Sequence, residues 1–138
     1  SVSERSVQIR SGVTVTVHSQ AVLNQSASWC LSGYLCLFEH SQFGGFEVSF
    51  SGSCRLENLG SIQYSGGWFN DRISSLDNMR SGGQARFYNY KGSGDWRNLN
   101  NSNLVIVANG GTYRRNLTQD TSFDGGNAND KIDIVRTC

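Results

Sequence analysis

Residues 68 to 78 read WFNDRISSLDN, placing an amide and a carboxylate side by side, Asn70 and Asp71, just ahead of two hydroxyls, Ser74 and Ser75. Near the C-terminus, NANDKIDIV at 127 to 135 repeats much of this. Asn129 and Asp130 stand where Asn70 and Asp71 do, and Asp133 takes the place of Ser74. All of these side chains carry hard oxygen donors. A Ca2+ ion takes about six to eight such oxygens at about 2.3–2.6 Å, from carboxylates, amide and backbone carbonyls and hydroxyls. A short turn delivers several at once, while Ile73 and Leu76 anchor the strand that follows. Arg72 and Lys131 are tolerated beside the loops because neighbouring side chains on extended chain point to opposite faces. The same pattern also serves without a metal, since Asx-type turns use a side-chain oxygen to cap a local N–H.

These loops need strands to hold them. Gly, Ser and Asn are abundant and Pro is absent, so turns rest on Gly and Asn at positive φ. SVQIRSGVTVTVHS (6 to 19) alternates around Gly12 and reads as one or two strands, and AVLNQSASW follows as a loop or irregular arm. YLCLFEH (34 to 40) and FEVSFSG (46 to 52) make a hairpin around SQFGG. CRLENLG is a short strand or turn, SIQYSGGWFN a loop, and RISSLDNM a strand. GQARFYNY (83 to 90), a strand starting in DWRNL, LVIVANGG, TYRRNLT and DKIDIVRTC complete the set. No stretch of ten or so residues carries a helical apolar period, so the class is all-β.

At 138 residues the chain fits one domain, with a modest apolar fraction of 37%. Twelve Lys and Arg against eleven Asp and Glu leave +1 and no basic stripe, which argues against nucleic acid as a partner. No apolar run reaches the ~20 residues a membrane span requires. The four cysteines, Cys30, Cys36, Cys54 and Cys138, form no C-x-x-C pair, and two histidines complete no zinc cluster. Two disulfides in an exported protein are the favoured reading, and the chain is taken as a mature or trimmed secreted form.

The pattern starts twice. Leu37-Phe38-Glu39 aligns with Arg86-Phe87-Tyr88, Gly45 with Gly94, and NDRIS with NDKID. The second copy carries about ten extra residues, placed around NNSNLVIVANGG. In FEHSQFGG (Phe38 to Gly45), an aromatic, four residues, an aromatic, one residue and Gly resemble the first hairpin of a βγ-crystallin Greek key. NDRISS matches that family's signature residue for residue. CLSGYLCLFEHSQFGG resembles secreted actinobacterial proteins grouped with the crystallin-fold peptidase inhibitors. In the second copy Gly92 replaces the hairpin aromatic, and Asp133 and Ile134 replace the hydroxyl pair.

The resemblance implies two Greek keys, 30–80 and 81–138, packed as a sandwich of two four-stranded sheets that exchange their third strands. Residues 1–29 lie outside it as an N-terminal β extension. It implies two Ca2+ sites assembled crosswise. One would use Asn70, Asp71, Glu39 and Asp133, the other Asn129, Asp130, Tyr88 and Ser74, with Glu39 and Tyr88 contributing backbone carbonyls. It also implies a Cys54–Cys138 bridge between the copies, leaving Cys30–Cys36 as a local clip. The expected protein is a secreted, non-enzymatic, monomeric Ca2+ binder that inhibits an extracellular peptidase, through YSGGW (64 to 68) or the segment 98 to 115.

Two other classes compete. Trp29, Trp68 and Trp96 with Tyr64, Tyr88, Tyr90 and Tyr113 offer a stacking platform for a glycan or cell-surface target, although such aromatics mostly fill cores. A toxin-associated role is the other alternative. Catalysis is disfavoured: no nucleophile or metalloprotease motif appears, His40 reads as a solvated side chain, and Glu39, Glu47 and Glu57 read as strand carboxylates facing solvent rather than a glycosidase pair.

Overall fold

The computed structural model describes residues 4–18 and 29–138; the loop reading for residues 21 to 28 lies outside them. Twelve strands are present among the described residues: β1 (Glu4–Arg10), β2 (Val13–His18), β3 (Leu35–His40), β4 (Gly44–Phe50), β5 (Leu56–Asn58), β6 (Gln63–Tyr64), β7 (Gly67–Trp68), β8 (Ser75–Asn78), β9 (Gln84–Tyr90), β10 (Ser102–Asn109), β11 (Thr112–Arg114) and β12 (Ile134–Arg136). Alternation explains how they pack. In β3 and β4, Leu35, Leu37, Val48 and Phe50 point into the main core, whereas Cys36, Phe38, Glu47 and Ser49 share the other face.

Two sheets enclose that core. One has the order β1-β2-β4-β3-β8-β11 and the other β10-β9-β12-β5, with β6 and β7 forming a small ribbon. The third strands are exchanged. β5, from the first half, pairs with β12 in the second half's sheet, and β11 pairs with β8 in the first half's sheet. Phe50, Phe69, Phe87, Leu59 and Leu117 are fully buried between the sheets. Burial of each such side chain contributes on the order of 1.5–3 kcal/mol. This is the Greek-key sandwich that the repeat implies.

The structure departs from the sequence reading in four places. The β1–β2 hairpin adds to the edge of β4, so the first sheet has six strands rather than four. DWRNL begins no strand; it is turn and 3-10 conformation leading to Leu99–Asn101, and β10 starts at Ser102. The extra residues of the second copy lie in its first hairpin, since Phe38 faces Glu47 whereas Tyr88 faces Leu104. LVIVA is instead a structural strand, with Val105 and Ala108 in the core. Finally, Phe38 pairs with Ser75 and Tyr88 with Ile134, so Tyr88 corresponds to Phe38, one residue away from the alignment read in the sequence. A one-residue slip exchanges the two faces of a strand, and the buried pair Leu37 and Phe87 sets the register.

Cys30 is bonded to Cys36 and Cys54 to Cys138. The second bridge spans a sequence separation of 84 residues and ties the segment between β4 and β5 to the segment after β12. Closing a loop of that length restricts the unfolded chain by about 4 kcal/mol in the chain-entropy model. The double variant Cys54→Ser/Cys138→Ser should therefore lose about 4 kcal/mol of unfolding free energy in a denaturant titration. A loss below about 1 kcal/mol would show that the hydrogen-bonded ladder alone holds the exchanged strand.

Candidate metal centre at the crossed loops

The two ND loops grip one another. The Asp71 N–H donates to the Ile132 carbonyl at 3.0 Å, and the Asp130 N–H donates to the Ile73 carbonyl at 3.1 Å. Both aspartates sit in the left-handed region, at φ 59° and 56°. Asp tolerates this conformation better than most residues, which explains its place at the second loop position. The strands that follow are matched as well. The Ser74 N–H donates to the Phe38 carbonyl at 2.9 Å, and the Asp133 N–H to the Tyr88 carbonyl at 2.8 Å. Leu117 N–H then reaches the Ser74 carbonyl at 2.9 Å, and Leu59 N–H the Asp133 carbonyl at 2.8 Å.

This crossing gathers two oxygen clusters. In the first, Asn70 and Asp71 meet Asp133 in a cleft of about 330 Å³ that Asn58, Gly60 and Tyr90 complete. Asp133 is buried; its Oδ2 accepts the Tyr90 N–H at 2.9 Å, while Oδ1 is buried with no hydrogen-bond partner among the described residues. Its carboxyl is pushed up to about 7, first by burial and then by the neighbouring Asp71 carboxyl, against the pull of the Tyr90 N–H. In the second cluster, Ser74 Oγ donates to Asp130 Oδ1 at 3.3 Å, and Asn129 Oδ1 is buried without a partner. Each cluster therefore gathers carboxylate, amide or hydroxyl oxygens around one buried oxygen that has no hydrogen-bond partner among the described residues, a donor chemistry that fits a hard divalent cation such as Ca2+.

The basic neighbours are held elsewhere. Arg72 Nη1 donates to the Tyr64 hydroxyl at 3.2 Å, and Lys131 Nζ donates to Asp124 at 3.0 Å and to the Gly125 carbonyl at 2.7 Å. Burial works against ionisation of Asp124, yet hydrogen bonds from Ser122, Lys131 and Asn89 bring its carboxyl below the usual range.

The hairpin residues are assigned the other way round from the sequence reading. Glu39 lies on the strand beside β8, on the side of Ser74 and Asp130, while Tyr88 lies beside β12, on the side of Asp133 and Asp71. The strand exchange leaves each hairpin next to its own fifth-position residue. The Tyr88 carbonyl is already engaged by Asp133, and by register Asn89 is the counterpart of Glu39. The Glu39 side chain is occupied too, accepting from the Tyr64 hydroxyl at 2.7 Å and the Phe46 N–H at 3.4 Å. Burial and then Glu39 raise the Tyr64 hydroxyl above its ordinary range.

Two of the three carboxylates expected to face solvent are buried. Glu47 pairs with His18 at 2.6 Å, and Glu57 pairs with Arg10 and Arg55 at 2.5 Å each. His18 comes from β2 and Arg10 from β1, far along the chain, whereas Arg55 lies just before β5, two residues from Glu57 and on the same side of the extended chain. The register of β2 against β4, with Thr16 opposite Glu47 and His18 opposite Gly45, puts His18 and Glu47 on a common face. The seven aromatics form no single platform: Tyr64 packs with Phe46 and Phe69, Trp29 stacks on His18, and Trp68 is exposed on β7. His40 is exposed, as expected.

Two Greek keys with exchanged third strands and paired ND loops define a βγ-crystallin-like domain. A solved structure concerned with the "Evolution of the eye lens beta-gamma-crystallin domain fold" is similar over 82% of this chain and 91% of its own, with a TM-score of 0.50 and 22% identity. That likeness shows the fold. The model of peptidase inhibitor family I36 matches residues 23–99, and the chain belongs to that family. No curated protein matches the sequence.

The Asp133 carboxyl gives a signed pH dependence. Its folded value of about 7 lies above the ordinary 3.8, so the stability it contributes to the metal-free protein is present at low pH and is lost as pH rises from about 4 to about 7. In chelator, Tm should fall across that window, and Asp133→Asn should flatten the fall. An unchanged pH profile in the variant would remove Asp133 as its source.

Proposed function

We propose that this chain is a secreted, Ca2+-stabilised, non-enzymatic inhibitor of an extracellular peptidase. Membership of the inhibitor family supports the peptidase part, and the two disulfides suit an oxidising extracellular setting. The Ca2+ part is carried by one observation, the unpaired buried Oδ1 of Asp133 in a cleft shared with Asp71 and Asn70. A bound divalent cation would supply the missing partner and relieve the crowding of two carboxylates. Asn129, Asp130 and Ser74 would form the second, less charged site.

The peptidase-facing loop we favour is 91–101. Of the two segments expected from sequence, 98–115 is mostly strand and 64–68 is a two-stranded ribbon. The 91–101 loop is largely exposed and stiff: Lys91 N–H donates to the Asn101 carbonyl at 2.9 Å, Asn101 Nδ2 to the Asp95 carbonyl at 2.9 Å, and the Tyr90 hydroxyl to the Gly94 carbonyl. The Arg97 guanidinium lies 4.8 Å from the Trp96 ring centre. Such preorganisation lowers the entropy lost on binding.

Calorimetric titration of Ca2+ into chelator-stripped protein should give two saturable sites, with affinity rising as pH passes 7. Ca2+ at a hundredfold over Kd should add about 2.7 kcal/mol of stability. The double variant Asp71→Ala/Asp130→Ala should lose both the heat and the Tm shift; unchanged binding would refute the site assignment. Separately, stoichiometric protein should inhibit at least one of a panel of secreted serine and metallopeptidases. Arg97→Ala with Trp96→Ala should weaken that inhibition about tenfold or more, as expected for an Arg and aromatic anchor. Inhibition unaffected by the pair would move the contact to another loop.

A further inference from the structure

The outer face of the six-stranded sheet carries a second small cluster, built on the Cys30–Cys36 bridge with Phe38 and Phe43 and flanked by Trp29 and Tyr34. Between this cluster and the β1–β2 hairpin lies a cavity of about 200 Å³. It belongs to neither ND loop. Its polar wall is buried: His18, Glu47, Ser49 and Thr16 are each less than a tenth exposed. Its mouth is open, for Ser6 and Leu31 are exposed.

We infer that this cavity is a binding site for a single neutral sugar ring, with Glu47 and Trp29 as its recognition groups. The hydrogen-bonding inventory selects that chemistry. Glu47 Oε1 is taken by His18 Nε2 at 2.6 Å, and Oε2 has no hydrogen-bond partner among the described residues, so a ligand donor is wanted there. Trp29 lines the same cavity, and its indole Nε1–H is buried with no acceptor among the described residues, so a ligand acceptor is wanted as well. A hydroxyl group does both, and a sugar presents several. The wall adds hydroxyls with capacity to spare: Thr16 is paired with Ser6 at 2.9 Å, and Ser49 donates to the Thr14 carbonyl at 3.4 Å. An anion would face the Glu47 carboxylate. A quaternary ammonium would satisfy that charge and leave the indole donor unmatched. The size also fits one ring, being below the ~300–1,000 Å³ of pockets that take drug-sized ligands.

The chain has three tryptophans, which give the test its own controls. Isotope-labelled full-length chain would be titrated with glucose, galactose, mannose and N-acetylglucosamine, and separately with tetramethylammonium, following the indole N–H resonances. One of the sugars should move the Trp29 resonance saturably while those of Trp68 and Trp96 stay in place. Glu47→Gln should raise Kd about tenfold or more, the loss expected for a hydrogen bond to a charged group. Ser49→Ala, which leaves the His18–Glu47 pair intact, should raise it about threefold and serves if Glu47→Gln fails to fold. A Trp29 resonance that no sugar moves, shifts confined to Trp68 or Trp96, tighter binding of tetramethylammonium, or sugar binding indifferent to both variants would each overturn the proposal. None of these readouts involves Ca2+ or a peptidase.

Discussion

The reciprocal hold between the loops at Asp71 and Asp130 is the constraint on which the rest depends. Each loop donates its backbone N–H to the other's following segment, and each third strand pairs in the opposite half's sheet. Neither half can satisfy its own ladder. β12 lies between β9 and the borrowed β5, and β8 lies between β3 and the borrowed β11. Stripping away either half would leave the other with an unpaired strand and an open core, so burial of Phe50, Phe69 and Phe87 is a property of the pair. The long-range bridge acts at the same place. Beside Cys54–Cys138, Arg55 N–H donates to Thr137 Oγ1 at 3.1 Å and Thr137 N–H to the Arg55 carbonyl at 2.9 Å, closing the exchange at its end.

Around this two-fold core the N-terminal hairpin adds an asymmetric layer. β2 extends the first sheet through its ladder with β4, and Arg10 reaches across to Glu57 on the second sheet. Arg55 completes that contact, binding Glu57 at 2.5 Å and donating to the Gly12 carbonyl at 3.1 Å. A buried carboxylate held by two guanidinium groups is compensated for leaving water, whereas loss of either arginine would leave it short of a partner. The same hairpin supplies His18 to Glu47 and so makes a buried polar wall of what would otherwise be a solvated sheet face.

Much of this was legible in the residues. Hard oxygens at matched spacing marked Asn70, Asp71, Asn129, Asp130 and Asp133, and the alternation in β2, β3 and β4 gave their faces. The register of the second copy was not legible, because Arg86-Phe87-Tyr88 offers two adjacent aromatics and only the ladder with β12 decides between them. That one-residue choice also determines which hairpin stands beside which fifth-position side chain. The burial of Glu47 and Glu57 was hidden for a different reason: the hairpin that covers them brings His18 and Arg10 from distant positions in the chain, and only Arg55, two residues before Glu57, is a local partner. The strand LVIVA looked like an insertion because the true one, 91–101, is polar and glycine-rich and blends with ordinary turns.

The two clusters differ in a way that bears on how the second copy is understood. Asp133 in place of a hydroxyl puts a second carboxyl into a buried position against Asp71; burial first, and the Asp71 carboxyl second, favour its protonated form and push the group up to about 7. The Ser74 hydroxyl faces no such conflict, since it donates to Asp130. Under the proposed metal reading, the departure from the family signature is therefore not simple decay. It converts a neutral ligand into a charged one, makes the first cluster costlier to form empty at neutral pH, and ties its occupancy to folding more tightly than that of the second. The same substitution that weakens the resemblance would, on that reading, strengthen the coupling between ion and fold.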